Sequence, residues 1–190
     1  HKFLPRTRFD SYEDFYENFR IDVPEDFNFA FDVADAIAQE DPEKIAMVWC
    51  DDKGADAVFT FGQLRRYSNR AAHFFRQAGI RKGDPVMLIL KRRYEFWFCL
   101  LALHKLGAVA IPATHLLTTK DIVYRNNAAD IKMIVSVAEE EVMRHIDEAA
   151  AHSPADHFDV VRVQVQCGGR LALVAVGMLG RHIDRHLSVL

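Results

Sequence analysis

The order of apolar and polar residues changes its period along this chain, and each period names an element. Between positions 10 and 19, Ser11-x-x-Asp14 forms a capping pattern, and Tyr12, Phe15, Tyr16 and Phe19 recur at helical spacing. Together they draw one apolar face on a short helix. A second helix is predicted over 28–40, with Phe31, Ala34, Ile37 and Ala38 along its inner face. Asp41-Pro42 stops it, because the residue before a proline avoids the helical region. Neither helix carries a pattern of chemical interest.

Beyond Pro42 the period shortens. Positions 45–50 read as a strand, 51–54 as a turn and 57–61 as the return arm of a hairpin. Thr60 and Gln63 form another capping pattern, so a helix starts at the end of that arm. Leu64, Tyr67, Ala71, Phe74, Phe75 and Ala78 make its buried stripe, and Gly79 closes it. Positions 85–90 are a nearly continuous apolar run, as a strand covered on both faces requires. A helix over 94–106, dense in Phe96, Trp97, Phe98, Leu100, Leu101 and Leu103, ends at Gly107. A short strand over 109–112 follows, then a helix capped by Thr118-x-x-Asp121, a strand over 131–137 and a helix over 138–151.

Strand and helix in regular alternation demand parallel pairing with right-handed crossovers. The expected fold is therefore α/β: a doubly wound, mostly parallel sheet with flanking helices and an N-terminal helical arm. The chain divides into that arm (1–41), the α/β sheet region (42–158) and a tail (159–190). The tail stands apart by composition: from Val160 onward its one acidic residue is Asp184, against Arg162, Arg170, Arg181 and Arg185. Phe158 to Gln166 alternates as a strand does, and 171–179 is a short apolar run. Two readings stay open for this stretch: a hairpin that completes the sheet, or a sequence whose frame diverges from its parent.

Composition narrows little. Half of the 190 residues are hydrophobic, enough for a real core, and the net charge of −3 points neither to nucleic acid nor to an anionic membrane. Cys50, Cys99 and Cys167 form no short-spaced pair, which fits a reducing cytoplasm, and no apolar run approaches the ~18 residues of a membrane span. The amino end lacks the apolar stretch of a signal peptide and lacks an initiator Met, so the native start is expected upstream.

Candidate chemistry is sparse. Neither a G-x-G-x-x-G fingerprint nor a phosphate loop of the form G-x-x-x-x-G-K is present, and Gly168-Gly169 reads as a plain turn. His182 and His186 share a helix face, but Ile183 stands where a hydrolytic zinc site needs Glu, so no metal site is assigned. His104 and His115 are isolated and read as structural. Ser68, Ser136, Ser153 and Cys99 sit in no nucleophile motif. Lys91, Arg92 and Arg93 form one basic cluster at the carboxyl end of a strand, where ligands of open α/β sheets gather. They are either an anion-binding turn or a solvated strand-to-helix connection.

Two stretches carry a resemblance. Phe59-Thr-Phe-x-x-Leu64 entering a helix, followed by Gly79-Ile-x-x-Gly-Asp-x-Val86, resembles the first core block of the adenylate-forming enzymes. Leu103-x-x-x-Gly-Ala-x-x-x-Pro112 resembles the next block in the right order. Leu117-Thr-Thr-Lys-Asp-Ile-Val-Tyr-Arg125 is similar to medium-chain acyl-CoA synthetases, and the likeness covers Phe3 to about Pro154. It fades at the tail, which favours divergence there.

The resemblance implies a fragment of the large N-terminal domain of a ligase. The parent would use ATP, Mg²⁺ and CoA on a carboxylic acid, through an acyl-adenylate. The family's phosphate loop, its acidic and arginine motifs and its C-terminal lysine are missing from this sequence. The fragment is therefore expected to have no catalytic residue, to bind no cofactor and to be inactive alone. By the same resemblance, Pro112, Ala113 and Thr114 match residues that lie against the CoA nucleotide; a tight strand-to-loop turn explains them equally. A rival reading is a non-catalytic module that dimerises through the surface exposed by truncation. No nucleic-acid or membrane partner is expected.

Overall fold

A computed structural model describes residues 3–152, 158–166 and 170–175 of the chain. Helix α1 (Tyr12–Asn18) starts at Ser11, whose hydroxyl accepts from the Asp14 amide at 3.2 Å. The hairpin strands β1 (Ile45–Cys50) and β2 (Asp56–Thr60) pair antiparallel. Helix α3 (Phe61–Gln77) opens with a complete capping box: Gln63 Oε1 accepts from the Thr60 amide at 2.9 Å, and the Thr60 hydroxyl accepts from the Gln63 amide at 3.3 Å.

Strands β3 (Pro85–Ile89), β4 (Val109–Pro112), β5 (Met133–Val137) and β6 (Asp159–Gln166) are parallel, and β7 (Arg170–Ala175) returns antiparallel to β6. Their order in the sheet is β4-β3-β5-β6-β7. Helices α4 (Glu95–Leu106), α5 (Thr119–Ala129) and α6 (Glu140–Ala151) make the crossovers. Since β4 and β5 flank β3 on opposite sides, right-handed connections put α4 on one face of the sheet and α5 with α6 on the other. Helix α3 packs on α4 and completes the first layer. The doubly wound expectation holds. Residues 159–166 and 170–175 form the sheet-completing hairpin, one of the two readings left open for the tail. His182, His186, Cys167, Gly168, Gly169 and Ser153 lie outside the described residues.

The core follows from the strand sequences. Val86, Met87, Leu88 and Ile89 are at most 1% exposed, as a central strand covered on both faces must be. Every residue of β5 is buried as well. A second, smaller cluster gathers Ala30, Ala34, Leu64, Phe98 and Leu101 beneath the hairpin, with Phe59, Tyr67 and Tyr94 packed against it.

Two predicted faces differ from the structure. On α1, Tyr12 and Tyr16 point to solvent, while Phe15 and Phe19 turn to meet Phe9, with ring centroids 5.2 and 6.3 Å from it. The apolar face is split because the chain before the helix, not the body of the protein, supplies its partner. Over 28–40 the helix begins as a wide segment, Ala30–Asp35, of π geometry and continues as α2 (Ala36–Glu40). Its buried residues are Ala30, Ala34 and Ala38, and Phe31 is 49% exposed. The wide turn holds one residue more than an α turn, which rotates Phe31 out of the stripe that regular helical spacing assigns to it.

Candidate functional site

In an open parallel sheet, ligands bind beyond the carboxyl ends of the strands, at the point where successive connections leave in opposite directions. Here that point lies between β3 and β5, since α4 leads from β3 to one side and α5 returns the chain to the other. Both turns picked out from the sequence leave this edge. Lys91, Arg92 and Arg93 follow β3, and Ala113 and Thr114 follow Pro112, the last residue of β4. Leu88 of β3 lies in register with Pro112, so the two turns leave neighbouring strands at the same end.

The basic turn is largely committed to carboxylates. Lys91 takes a left-handed backbone (φ 53), a conformation uncommon outside glycine, and its ammonium pairs with Glu139, the residue preceding α6. That pair spans the crevice between β3 and β5. The Arg93 guanidinium pairs with Glu95 in the first turn of α4. Glu95 is 2% exposed; its second carboxylate oxygen and Arg93 Nε are buried without a partner among the described residues. Arg92 has no carboxylate partner among the described residues, and its carbonyl accepts from Trp49 Nε1 at 2.7 Å, tying the turn to β1.

The second turn is held from three sides. The Ala113 amide donates to the Leu88 carbonyl at 3.0 Å, and the Thr114 hydroxyl accepts from the Leu116 amide at 3.2 Å. From α6, His145 Nδ1 donates to the Leu117 carbonyl at 3.1 Å. Neighbouring Arg144 pairs with Glu148 at 2.9 Å, and Thr119 at the start of α5 donates to the same carboxylate at 2.6 Å. The Thr119 hydroxyl, and then the Arg144 guanidinium, hold the Glu148 carboxyl below its usual range. Pro112 and Thr114 are exposed, so a planar group can approach the backbone there.

Pro112 also has a purely structural consequence. The Val109 amide donates to Asp84 and the Ala113 amide to Leu88, so the odd-numbered residues of β4 face β3. Ala110 and Pro112 therefore face away from the sheet, and the proline's missing N–H costs no ladder bond.

The remaining candidates among the described residues are enclosed by the fold. Cys99 is fully buried, and burial, followed by the Glu95 carboxylate, pushes its thiol up to about 12. The Ser68 hydroxyl donates to the Arg65 carbonyl at 3.1 Å and accepts from Lys105 at 2.9 Å. Ser136 is buried within β5. His104 Nδ1 is buried without a partner among the described residues. A shallow depression of about 470 Å³, lined by Thr119, Lys120, Val123, Tyr124 and His152, includes neither turn. Among the described residues no three His, Cys, Asp or Glu side chains converge to hold a metal. The sequence reading missed Glu139, Glu95 and His145, the residues that fix the two turns. Glu95, two positions after Arg93, was within reach of a charge-pattern argument; Glu139 and His145 required the β3–β5 neighbourhood and the α6 contact.

The profile of the AMP-binding enzymes matches residues 34–171. The chain is 36% identical over 139 residues to rat acyl-coenzyme A synthetase ACSM5, mitochondrial, a match covering 70% of this chain and 24% of the relative. It is 33% identical over 159 residues to mouse acyl-coenzyme A synthetase ACSM3, mitochondrial, covering 80% of this chain and 27% of the relative. The chain thus spans about a quarter of the length of the curated relatives it matches. Among solved structures, a benzoate CoA ligase from Burkholderia xenovorans LB400 superposes with a TM-score of 0.61 at 22% identity, over 73% of this chain and 26% of that one. A fatty acyl CoA synthetase from Mycobacterium tuberculosis does so with a TM-score of 0.63 at 24% identity, over 77% and 31%. At these identities the structures show a shared fold.

Proposed function

Because the chain belongs to the AMP-binding enzyme family, we propose that it forms the N-terminal portion of an ATP-dependent acyl-CoA synthetase and is inactive in adenylation by itself. The observation that carries this reading is the sheet edge where the Pro112 and Lys91 turns leave adjacent parallel strands, within the stretch that the family profile matches. In the parent reaction a carboxylate attacks the α-phosphate of ATP, giving an acyl-adenylate and pyrophosphate. The CoA thiol then displaces AMP. The relatives are named acyl-coenzyme A synthetases, and the likeness of residues 117–125 to medium-chain synthetases supports a medium-chain acid as substrate.

Within this portion, Pro112, Ala113 and Thr114 would lie against the nucleotide of CoA. Arg92, the cation of the basic turn without a carboxylate partner among the described residues, would face its phosphates, with Lys91 and Arg93 held back by Glu139 and Glu95. Among the described residues no cluster of His, Cys, Asp or Glu side chains fits Mg²⁺. The free thiols of Cys50 and Cys99 suit a reducing compartment such as the cytoplasm. No helix among the described residues is long and apolar enough to cross a membrane.

A second reading, a dimerising module without catalysis, draws on the exposed face of the hairpin, where Val48 and Val58 pair across the strands at 68% and 52% exposure. One set of measurements separates the two. The chain is titrated calorimetrically with CoA and with ATP–Mg²⁺, pyrophosphate release is followed with octanoate, and mass is measured against concentration. The synthetase-portion reading expects a monomer with no pyrophosphate above background; CoA heat that Thr114→Trp abolishes would mark Pro112, Ala113 and Thr114 as a half-site that survives in the fragment. Pyrophosphate release overturns the claim of inactivity. A dimer without CoA heat favours the second reading.

A further inference from the structure

Acidic and basic residues are unevenly mixed along this chain. Acids outnumber bases, 27 to 24, yet no Asp or Glu stands between Asp56 and Asp84, a stretch that holds Arg65, Arg66, Arg70, Arg76, Arg81 and Lys82. Helix α3 takes up most of that stretch and turns its charges to one side. Its buried stripe is Leu64, Ser68, Ala71, Phe74 and Phe75. On the opposite face Arg66, Arg70, His73 and Gln77 follow one another at i, i+4, i+7 and i+11, and Arg76 stands in the row beside them; all five are exposed.

The cations of this face are largely unspent. Arg65, at its margin, reaches Asp35 at 4.0 Å, and the Arg66 guanidinium lies 5.3 Å from the centre of the Tyr67 ring. Among the described residues Arg66, Arg70 and Arg76 form no ion pair with a carboxylate. Like charges four residues apart destabilise a helix, so the row is a cost that a bound anion would remove. Every cation of α3 is an arginine, the side chain whose planar fork takes a carboxylate with two parallel hydrogen bonds.

The surroundings set the size and character of the occupant. Between Val58 and Trp97 no large apolar side chain is exposed, so nothing here receives a greasy anchor. The row from Arg66 to Arg76 rises about 15 Å, the length of about five extended residues. Side chains on one face of an extended peptide recur every ~6.6 Å, close to the ~6 Å rise from Arg66 to Arg70. Both ends of α3 are closed by acids. The Gly62 amide donates to the Pro42 carbonyl at 2.9 Å, which sets Asp41 and Glu43 beside the start of the helix, and Asp84 accepts from the Arg81 amide at 2.7 Å beyond its end. A long polyanion or a lipid surface would run on into those carboxylates; a short segment would not.

We propose that the outer face of α3 is a docking surface for a short, extended acidic segment of a partner protein, whose carboxylates are taken by Arg66, Arg70 and Arg76. This surface is separate from the Pro112 and Lys91 turns and depends on neither reading of the chain's function.

The test is fluorescence anisotropy of the full 190-residue chain with a labelled peptide of about seven residues carrying glutamate at every second position. Binding is expected to weaken with added salt and to vanish when glutamine replaces each glutamate. Arg66→Gln, Arg70→Gln and Arg76→Gln should each weaken it about threefold, and the triple change about 30-fold. A control removes the same charge elsewhere, by Arg8→Gln, Arg20→Gln and Lys53→Gln together, and should leave most of the affinity. Absence of peptide binding overturns the proposal, as does an equal loss in the control, which would reduce the effect to net charge. Tighter binding of a single-stranded oligonucleotide or of phosphatidylserine vesicles overturns it in favour of a polyanion. Salt-sensitive self-association that the triple change abolishes overturns it in favour of a second copy's acidic arm.

Discussion

The pair of Arg93 and Glu95 offers the sharpest test, because it decides whether an arginine at the candidate edge is structural. Glu95 is 2% exposed and the Arg93 side chain 27%, so the pair is only partly screened by solvent. Removing one partner of a fully buried pair costs about 3–5 kcal/mol, since the other charge stays buried and unpaired. Arg93 keeps a route to water, so Glu95→Gln should cost less, about 2–3 kcal/mol. For a chain of this size that is a fall of about 5–10 °C in Tm. Arg93→Met should cost more, about 3–4 kcal/mol, because the carboxylate it strands is the deeper group. The double change Arg93→Met with Glu95→Leu removes both charges from an apolar setting and should return to within about 1 kcal/mol of wild type. The assay is urea unfolding followed by Trp49 and Trp97 fluorescence, as a double-mutant cycle. Additive single effects, or Glu95→Gln within about 0.5 kcal/mol of wild type, would refute the reasoning and leave Arg93 free to bind an anion.

Other perturbations test separate parts of the fold. Gly107 ends α4 with φ 66, and an added Cβ would meet the flexible Lys82 stem at 3.1 Å, so Gly107→Ala should cost about 1–2 kcal/mol, mostly backbone strain, in the same urea assay. Gly54→Ala (φ 85), where a Cβ meets nothing within 4 Å, is the control for strain alone. Cys99 is held up at about 12 against an ordinary value near 9.0, so the unfolded chain loses this proton first as pH rises. Stability should then fall between pH 9 and 12, by on the order of 4 kcal/mol, and Cys99→Ala should lack that part of the slope. Thr118→Ala removes the cap of α5 and should cost about 1 kcal/mol, with faster amide exchange confined to the first turn.

Legibility depended on how local each cause was. The caps at Ser11, Thr60 and Thr118 are contained within four consecutive residues, so they could be read directly, and each is present. The run from Pro85 to Ile89 announced a doubly covered strand by composition, and the alternation of helix and strand gave the parallel sheet. What escaped was set between elements. Phe31 faces outward because the helix over 30–40 opens with a wide turn, whose ends meet His104 and Lys105 far along the chain. Lys91 looked like a free cation until Glu139 came alongside from the end of β5. The two candidate turns were found one at a time, and only the strand order shows that they share an edge beside the reversal point.

The outward-facing proline of β4 bears on the molecule's behaviour in company. Along that strand's open side, Ala110 offers an N–H where Pro112 offers none, so an extended peptide laid alongside would find too few donors for a continuous ladder. Strand addition is thereby discouraged at the margin next to the Thr114 turn. A crowded solution of chains should accordingly be slow to form β-linked aggregates through β4, and Pro112→Val should hasten them, whatever that edge binds.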